Sequence, residues 1–202
     1  MKIKFCGFTR DEDVRAALAL GVDAIGLNLA RGPRKITVER AAEFARIIPT
    51  SVMSVALFVD ADEATILAAL SVIGCTAVQL HGDEPPELAE RLRRHATVIK
   101  AFRISDASSL AAVRGYPADL YLLDAAVPGQ SGGTGTAWDH GLLAGVDLGK
   151  PVMLAGGLIP GNVVTAIARV KPQWVDTASG IESEPGIKDP ARMAAFAAAC
   201  RS

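Results

Sequence analysis

Two groups able to move protons close two strand-like runs that lie far apart in the chain. Cys6 ends Ile3-Lys4-Phe5-Cys6-Gly7, and Asp124 ends Leu120-Tyr121-Leu122-Leu123-Asp124. If a fold brings both ends to one mouth, a thiol faces a carboxyl across a gap the size of a small molecule, and the pair is a base and an acid. Neither free group is tuned for that work. A thiol with a pKa near ~8.5 is mostly protonated at neutral pH, and an aspartate near ~3.9 is mostly ionised. The expectation is that burial raises Asp124 while a helix start near Thr9 helps Cys6. Each residue also has a plain reading, as a small buried hydrophobe for Cys6 and a cap or turn residue for Asp124.

The elements that must position them follow from the hydrophobic pattern. Short aliphatic runs alternate with Ala-rich helical stretches, the mark of repeated βα units. Strand candidates are Ile3 to Cys6, Ala24 to Leu29, Ser54 to Val59, Ala77 to Leu80, Val98 to Phe102, Leu120 to Asp124, Val152 to Ala155 and Trp174 to Thr177. Helices are expected to begin near Asp11, Val38, Glu63, Pro86, Ser108, Trp138, Val163 and Ala191. Eight such units predict an α/β fold, a single-domain (β/α)8 TIM barrel over residues 1–202 with short loops, in which the carboxyl ends of the strands carry the site. A doubly wound open sheet gives no reason for the eighth unit. Strands covered on both faces should read as near-continuous apolar runs, as Val55-Ala56-Leu57-Phe58-Val59 does. Helix starts are marked by Thr9 with Glu12 at capping-box spacing, by Pro85-Pro86, and by Asp189 before Pro190.

Composition bounds the function classes. The chain has 202 residues, 50% of them hydrophobic, and a formal net charge of -1, which suits one compact domain and lacks the basic excess of a nucleic-acid binder. No leader-like apolar segment precedes the first strand run and no apolar run reaches the ~18 residues of a membrane span, so a cytoplasmic address without membrane partners is expected. Cys6, Cys75 and Cys200 are odd in number and widely spaced, which indicates free thiols and no metal site. Arg91, Arg93 and Arg94 read as a solvated helix face, and His95 and His140 as structural.

Glycines gather at the same end of the predicted barrel. Gly129-Gln130-Ser131-Gly132-Gly133-Thr134-Gly135 follows the sixth strand, Gly156-Gly157 ends the seventh, and Ser179-Gly180 follows the eighth. Singly these are turn residues. Together, on adjacent loops, they offer backbone N–H groups to a phosphate.

At this point the residues carry a resemblance. Lys4-Phe5-Cys6-Gly7-Phe8-Thr9-Arg10, Gln79-Leu80-His81-Gly82, Leu123-Asp124 with Gly132 to Gly135, Leu154 to Leu158, and Asp176 to Glu182 with Pro185-Gly186 and Lys188-Asp189 resemble the phosphoribosylanthranilate isomerase family of tryptophan biosynthesis. The resemblance runs in order from residue 4 to about residue 190. It implies an Amadori rearrangement of N-(5-phosphoribosyl)anthranilate to 1-(2-carboxyphenylamino)-1-deoxyribulose 5-phosphate, with no metal or organic cofactor. It further implies Asp124 as acid, Cys6 as base, and Arg34 as the partner of the anthranilate carboxylate, for which a guanidinium fork is suited. His81 and Asp176 are expected to line the substrate, and Gly133, Thr134, Gly135, Gly156, Gly157, Ser179 and Gly180 to hold its phosphate. Two departures stand out: Gly32 replaces the usual serine before Pro33-Arg34, and Ala178 stands where a serine is common. The sister isomerase of histidine biosynthesis would carry Asp in place of Cys6 and a second phosphate loop. A non-catalytic phosphosugar-binding barrel would not need both Cys6 and Asp124. The partner expected is the small phosphosugar-anthranilate substrate; the apolar helix Ala191 to Cys200 leaves monomer and homodimer both open.

Overall fold

Eight parallel strands, each hydrogen-bonded to the next and the last to the first, close into a barrel in the computed structural model, which describes residues 1–106, 108–125, 143 and 146–202. The strands are β1 Lys2–Cys6, β2 Ala24–Asn28, β3 Met53–Phe58, β4 Ala77–Leu80, β5 Thr97–Ile104, β6 Leu120–Ala125, β7 Val152–Ala155 and β8 Trp174–Thr177. Helices α1 Asp11–Ala19, α2 Val38–Ile47, α3 Glu63–Ile73, α4 Pro86–Leu92, α5 Ser109–Val113, α6 Val163–Val170 and α7 Pro190–Arg201 surround them. The expected strands are all present, displaced by at most two residues at an end. The helix expected near Trp138, and His140 with it, lie outside the described residues. A two-stranded antiparallel hairpin, β9 Glu182–Glu184 and β10 Ile187–Lys188, follows β8 and was not expected.

Alternation along each strand sorts side chains into two cores. Ile3, Phe5, Ile25, Leu27, Ala56 and Phe58 face outward into the layer shared with the helices. Ala24, Val55, Ala77, Leu122, Met153 and Trp174 fill the barrel interior. The inward rows of three strands are not apolar throughout: Lys4, Gln79 and Asp176 are buried among them, while Lys100 of β5 is buried on the outward face against Glu84. The near-continuous apolar pattern therefore fails in β1, β4 and β8, because the barrel interior near its mouth is a site as well as a core, and in β5 it is broken by the outward pair of Lys100 with Glu84.

Helix α7 closes the ring. Its Phe196 meets Phe5 edge-on at 5.8 Å between centroids, and Met193, Ala197 and Cys200 are buried with it. Removing an aromatic ring of this kind from water is worth about 1.5–3 kcal/mol, so this helix packs on the barrel. Asp189 caps it as expected, accepting hydrogen bonds from Ala191 N (2.8 Å) and Arg192 N (3.1 Å). Pro85 and Pro86 open α4 as expected. The Thr9 capping box does not form. The N-cap of α1 is Arg10, without a side-chain cap bond, while the Thr9 hydroxyl donates to Gly186 O at 2.6 Å and so ties the first loop to the β9–β10 hairpin.

Candidate active site

The carboxyl ends of the strands surround a cavity of about 280 Å³ whose wall includes Cys6, Arg34, His81, Asp124 and Asp176. These are the five side chains singled out from the sequence for acid–base work and substrate contact. Cys6 ends β1 and Asp124 stands near the end of β6, so the barrel sets them on different sides of one mouth.

Cys6 owes its place to two neighbours without side chains in the way. In the β1–β2 register it lies opposite Gly26, where an added Cβ would stand 2.5 Å from the sulfur. Real carbon–sulfur contacts do not approach so closely, so the thiol occupies space that only glycine leaves. Gly26→Ala is expected to displace Cys6 and lower kcat on the order of 10²-fold, since displacement of a reacting group by about 1 Å costs that much; steady-state turnover beside a circular dichroism spectrum checks it. Gly7, with φ of 78°, turns the chain away immediately after the thiol, and its Cα side is covered by the Arg34 stem.

The electrostatics of the thiol differ from the expectation. Burial pushes the Cys6 pKa above its ordinary value, while Lys4 and Lys188 pull it down and Asp176 adds to the rise. The cations that offset burial stand on β1 and β10. Asp124, expected to be buried, has a side chain 32% exposed in the mouth, with His81 Nε2 3.5 Å from its Oδ2. Gln79 Nε2 lies 2.7 Å from His81 Nδ1. When the amide donates this bond, the imidazole carries its proton on Nε2, facing Asp124. His81 is thus linked through its two nitrogens to a buried amide and to the mouth carboxyl.

Arg34 is committed on one side. Its Nε donates to Glu182 Oε1 at 2.7 Å and its Nη2 to Glu182 Oε2 at 2.6 Å, a bidentate pair that leaves the other edge of the guanidinium in the cavity wall. Glu182 is also met by Lys188 Nζ at 2.7 Å, and that ammonium donates onward to Cys6 O (2.6 Å) and Ala178 O (3.1 Å). One buried carboxylate therefore ties Arg34, the end of β1 and the turn after β8 together. Although burial opposes ionisation, the Arg34 fork and Lys188 hold the Glu182 pKa below the ordinary range. Asp176, expected to line the substrate, accepts a hydrogen bond at Oδ1 from Lys4 Nζ at 2.8 Å.

The glycine-bearing turns lie on the β7–β8 side. Gly156 and Gly157 line the cavity with φ of 89° and 64°, and Ser179 lines it from a single 3-10 turn, Ser179–Ile181. Gly180 stands behind them: a side chain there would run into the carbonyl of Leu158, which already accepts the Thr177 hydroxyl at 2.8 Å. Gly133, Thr134 and Gly135 lie outside the described residues. Sequence reasoning missed Lys4, Gly26, Gln79, Glu182 and Lys188 as parts of the site. A lysine inside an otherwise apolar strand run was the available signal for Lys4; nothing local marks the others. Among the described residues there is no cluster of His, Cys, Asp and Glu able to hold a metal ion.

A closed (β/α)8 barrel with a thiol and a carboxyl at its mouth, and left-handed glycines beside them at the end of β7, defines a barrel enzyme built for proton transfer on a small molecule. The profile of N-(5'phosphoribosyl)anthranilate (PRA) isomerase matches residues 3–199. An N-(5'-phosphoribosyl)anthranilate isomerase of Pseudomonas aeruginosa is 45% identical over 205 residues, covering 100% of this chain and 96% of the relative. The phosphoribosyl anthranilate isomerase of Thermotoga maritima superposes with a TM-score of 0.93 at 34% identity, covering 100% of this chain and 98% of the other. A phosphoribosyl anthranilate isomerase in complex with reduced 1-(o-carboxyphenylamino)-1-deoxyribulose 5-phosphate gives a TM-score of 0.87 at 31% identity, covering 100% and 98%. The chain belongs to the N-(5'-phosphoribosyl)anthranilate isomerase family.

Proposed function

We propose that this barrel carries out the Amadori rearrangement of N-(5-phosphoribosyl)anthranilate to 1-(2-carboxyphenylamino)-1-deoxyribulose 5-phosphate in L-tryptophan biosynthesis, with Asp124 as general acid and Cys6 as general base. The observation that carries the reading is the placement of both groups on the wall of one cavity, beside an arginine and left-handed glycines at the end of β7. Asp124 protonates the ribose ring oxygen and the ring opens to the imine; the Cys6 thiolate removes the proton on C2, giving the enolamine, which tautomerises to the ketone. The proton lost at C2 is matched by the one gained at C1, so the reaction consumes no oxidant, reductant or cofactor.

The substrate has an anion at each end, and the cavity supports one orientation. The phosphate lies on the backbone of Gly156, Gly157 and Ser179, with Gly180 allowing the turn to pack against Leu158; Gly133, Thr134 and Gly135, outside the described residues, are the further phosphate-binding residues the family resemblance implies. The anthranilate carboxylate lies on the free edge of Arg34, which Glu182 holds in place. Asp176 and His81 border the ribose between these ends. Ala178 offers no hydroxyl, so backbone donors and Ser179 carry the phosphate. The enzyme acts in the cytoplasm; among the described residues no helix is long and apolar enough to cross a membrane.

The test is the loss of anthranilate-conjugate fluorescence when purified protein meets N-(5-phosphoribosyl)anthranilate generated in situ. Rapid loss, with the ketone product recovered by chromatography, is the expected result. Phosphate-dependent thermal stabilisation without turnover would replace it with the reading of a phosphosugar-binding barrel.

A further inference from the structure

Lys4 is a lysine with no access to solvent: its side chain is 0% exposed, inside the barrel, two residues before Cys6 on the same inward row of β1. An ammonium out of water is costly unless paired and hydrogen-bonded. Its hydrogen bond among the described residues goes to Asp176 Oδ1 at 2.8 Å, directly across the β1–β8 register. An ammonium has three donors. Beyond Asp176 the Lys4 ammonium meets no nitrogen or oxygen acceptor among the described residues, and the side chain within its reach is the Cys6 thiol. The two residues stand about 6.6 Å apart along one face of the strand, and the Lys4 ammonium is within side-chain hydrogen-bonding reach of the Cys6 thiol.

The charges around the sulfur point the same way. Three cations face it: Lys4 from β1, Lys188 from β10 and Arg34 from the loop after β2. Two anions answer them, Asp176 on β8 and Glu182 on β9. On β2 the neighbour is Gly26, which brings no charge; His81 follows β4 and Asp124 stands on β6. Lys4 pairs with Asp176, and Glu182 serves both Lys188 and Arg34, so the group carries one net positive charge beside the sulfur.

We propose that Lys4 is the resident counter-ion of the Cys6 thiolate, with Asp176 as the anchor that holds it there. Lys4 is then a positioning residue that works through Cys6 and touches no substrate atom. The inference deepens the isomerase reading and rests on its assignment of Cys6 as base, yet it concerns a property of the free protein. Consistent with it, the Asp176 carboxylate and the sulfur together outweigh burial and keep the Lys4 pKa above the ordinary lysine value.

The experiment is a titration of Cys6 without substrate, in a Cys75→Ala/Cys200→Ala background, by thiolate absorbance near ~240 nm and by iodoacetamide alkylation against pH. Lys4→Met is expected to raise the thiol pKa by about one unit or more, read as an about tenfold slower alkylation at neutral pH. Because Lys4→Met strands Asp176 in the interior, Lys4→Met/Asp176→Asn is titrated beside it; it removes the pair without leaving a lone charge and is expected to shift the thiol in the same direction by less. The limb of the kcat/KM pH profile that reports ionisation of the thiol should move with it. A folded variant whose thiol titrates as in the parent would overturn the proposal. A shifted thiol in a protein that turns over no N-(5-phosphoribosyl)anthranilate would uphold it while removing the isomerase reading.

Discussion

Cys6→Ser and Asp124→Asn are each expected to lower kcat by about 10²–10⁴-fold, the span that a positioned acid or base contributes, with much smaller changes in KM. Serine keeps the shape of the side chain and loses the acidity, so it cannot be the base at any pH the fold survives. Asparagine keeps the shape of the carboxyl and has no proton to give to the ring oxygen. Neither change removes the turns proposed to hold the phosphate or the Arg34 edge, which is why binding should persist. The two groups act at successive barriers, ring opening and then removal of the C2 proton. The double variant is therefore expected to be about as slow as the slower single variant, not slower by the product of both. Single-turnover fluorescence on the three proteins decides this. A Cys6→Ser protein retaining parental kcat would remove the thiol from the chemistry.

Glu182 should matter nearly as much, through the fold first. Glu182→Ala is expected to cost about 3–5 kcal/mol in unfolding free energy, because it leaves the fully buried Lys188 ammonium without its carboxylate. It also releases Arg34 from its bidentate anchor, so KM should rise in whatever fraction folds. The pH dependence has a definite sign. The folded-state pKa of Glu182 lies below its ordinary value of 4.5, so the carboxylate binds fewer protons folded than unfolded near that pH. Its stabilisation is complete above about 4.5 and is lost as pH falls through the depressed folded value. Glu182→Gln, which cannot titrate, should show a flatter fall of Tm over that acid range than the parent. Urea unfolding at neutral pH and thermal melts across the acid range measure both effects. A parental slope in Glu182→Gln would assign the acid dependence to other carboxylates.

What could be read in advance depended on how local the signal was. The strands β4, β7 and β8 begin and end where they were expected, and in β7 burial leaves the unbroken apolar stretch Val152-Met153-Leu154-Ala155. The caps at Asp189 and Pro85-Pro86 were legible because a cap is made by residues adjacent in sequence. Thr9 failed for the opposite reason: its hydroxyl found a carbonyl 177 positions away, at Gly186, which no local rule supplies. The net upward shift of the Cys6 thiol was likewise not legible from the adjacent helix start. The cations beside the sulfur come from its own strand and from Lys188, which is 182 positions away.

By itself the sequence determined the number and order of the βα units, the strand ends on which Cys6 and Asp124 stand, and the glycine-bearing turns beside them, since each is set by residue type and short-range periodicity. Only the tertiary structure decided that Lys4 meets Asp176, that Glu182 gathers Arg34 and Lys188, and that Gly26 makes room for the thiol. Those are pairings across the closed barrel, where burial and charge balance select partners that the linear order keeps far apart.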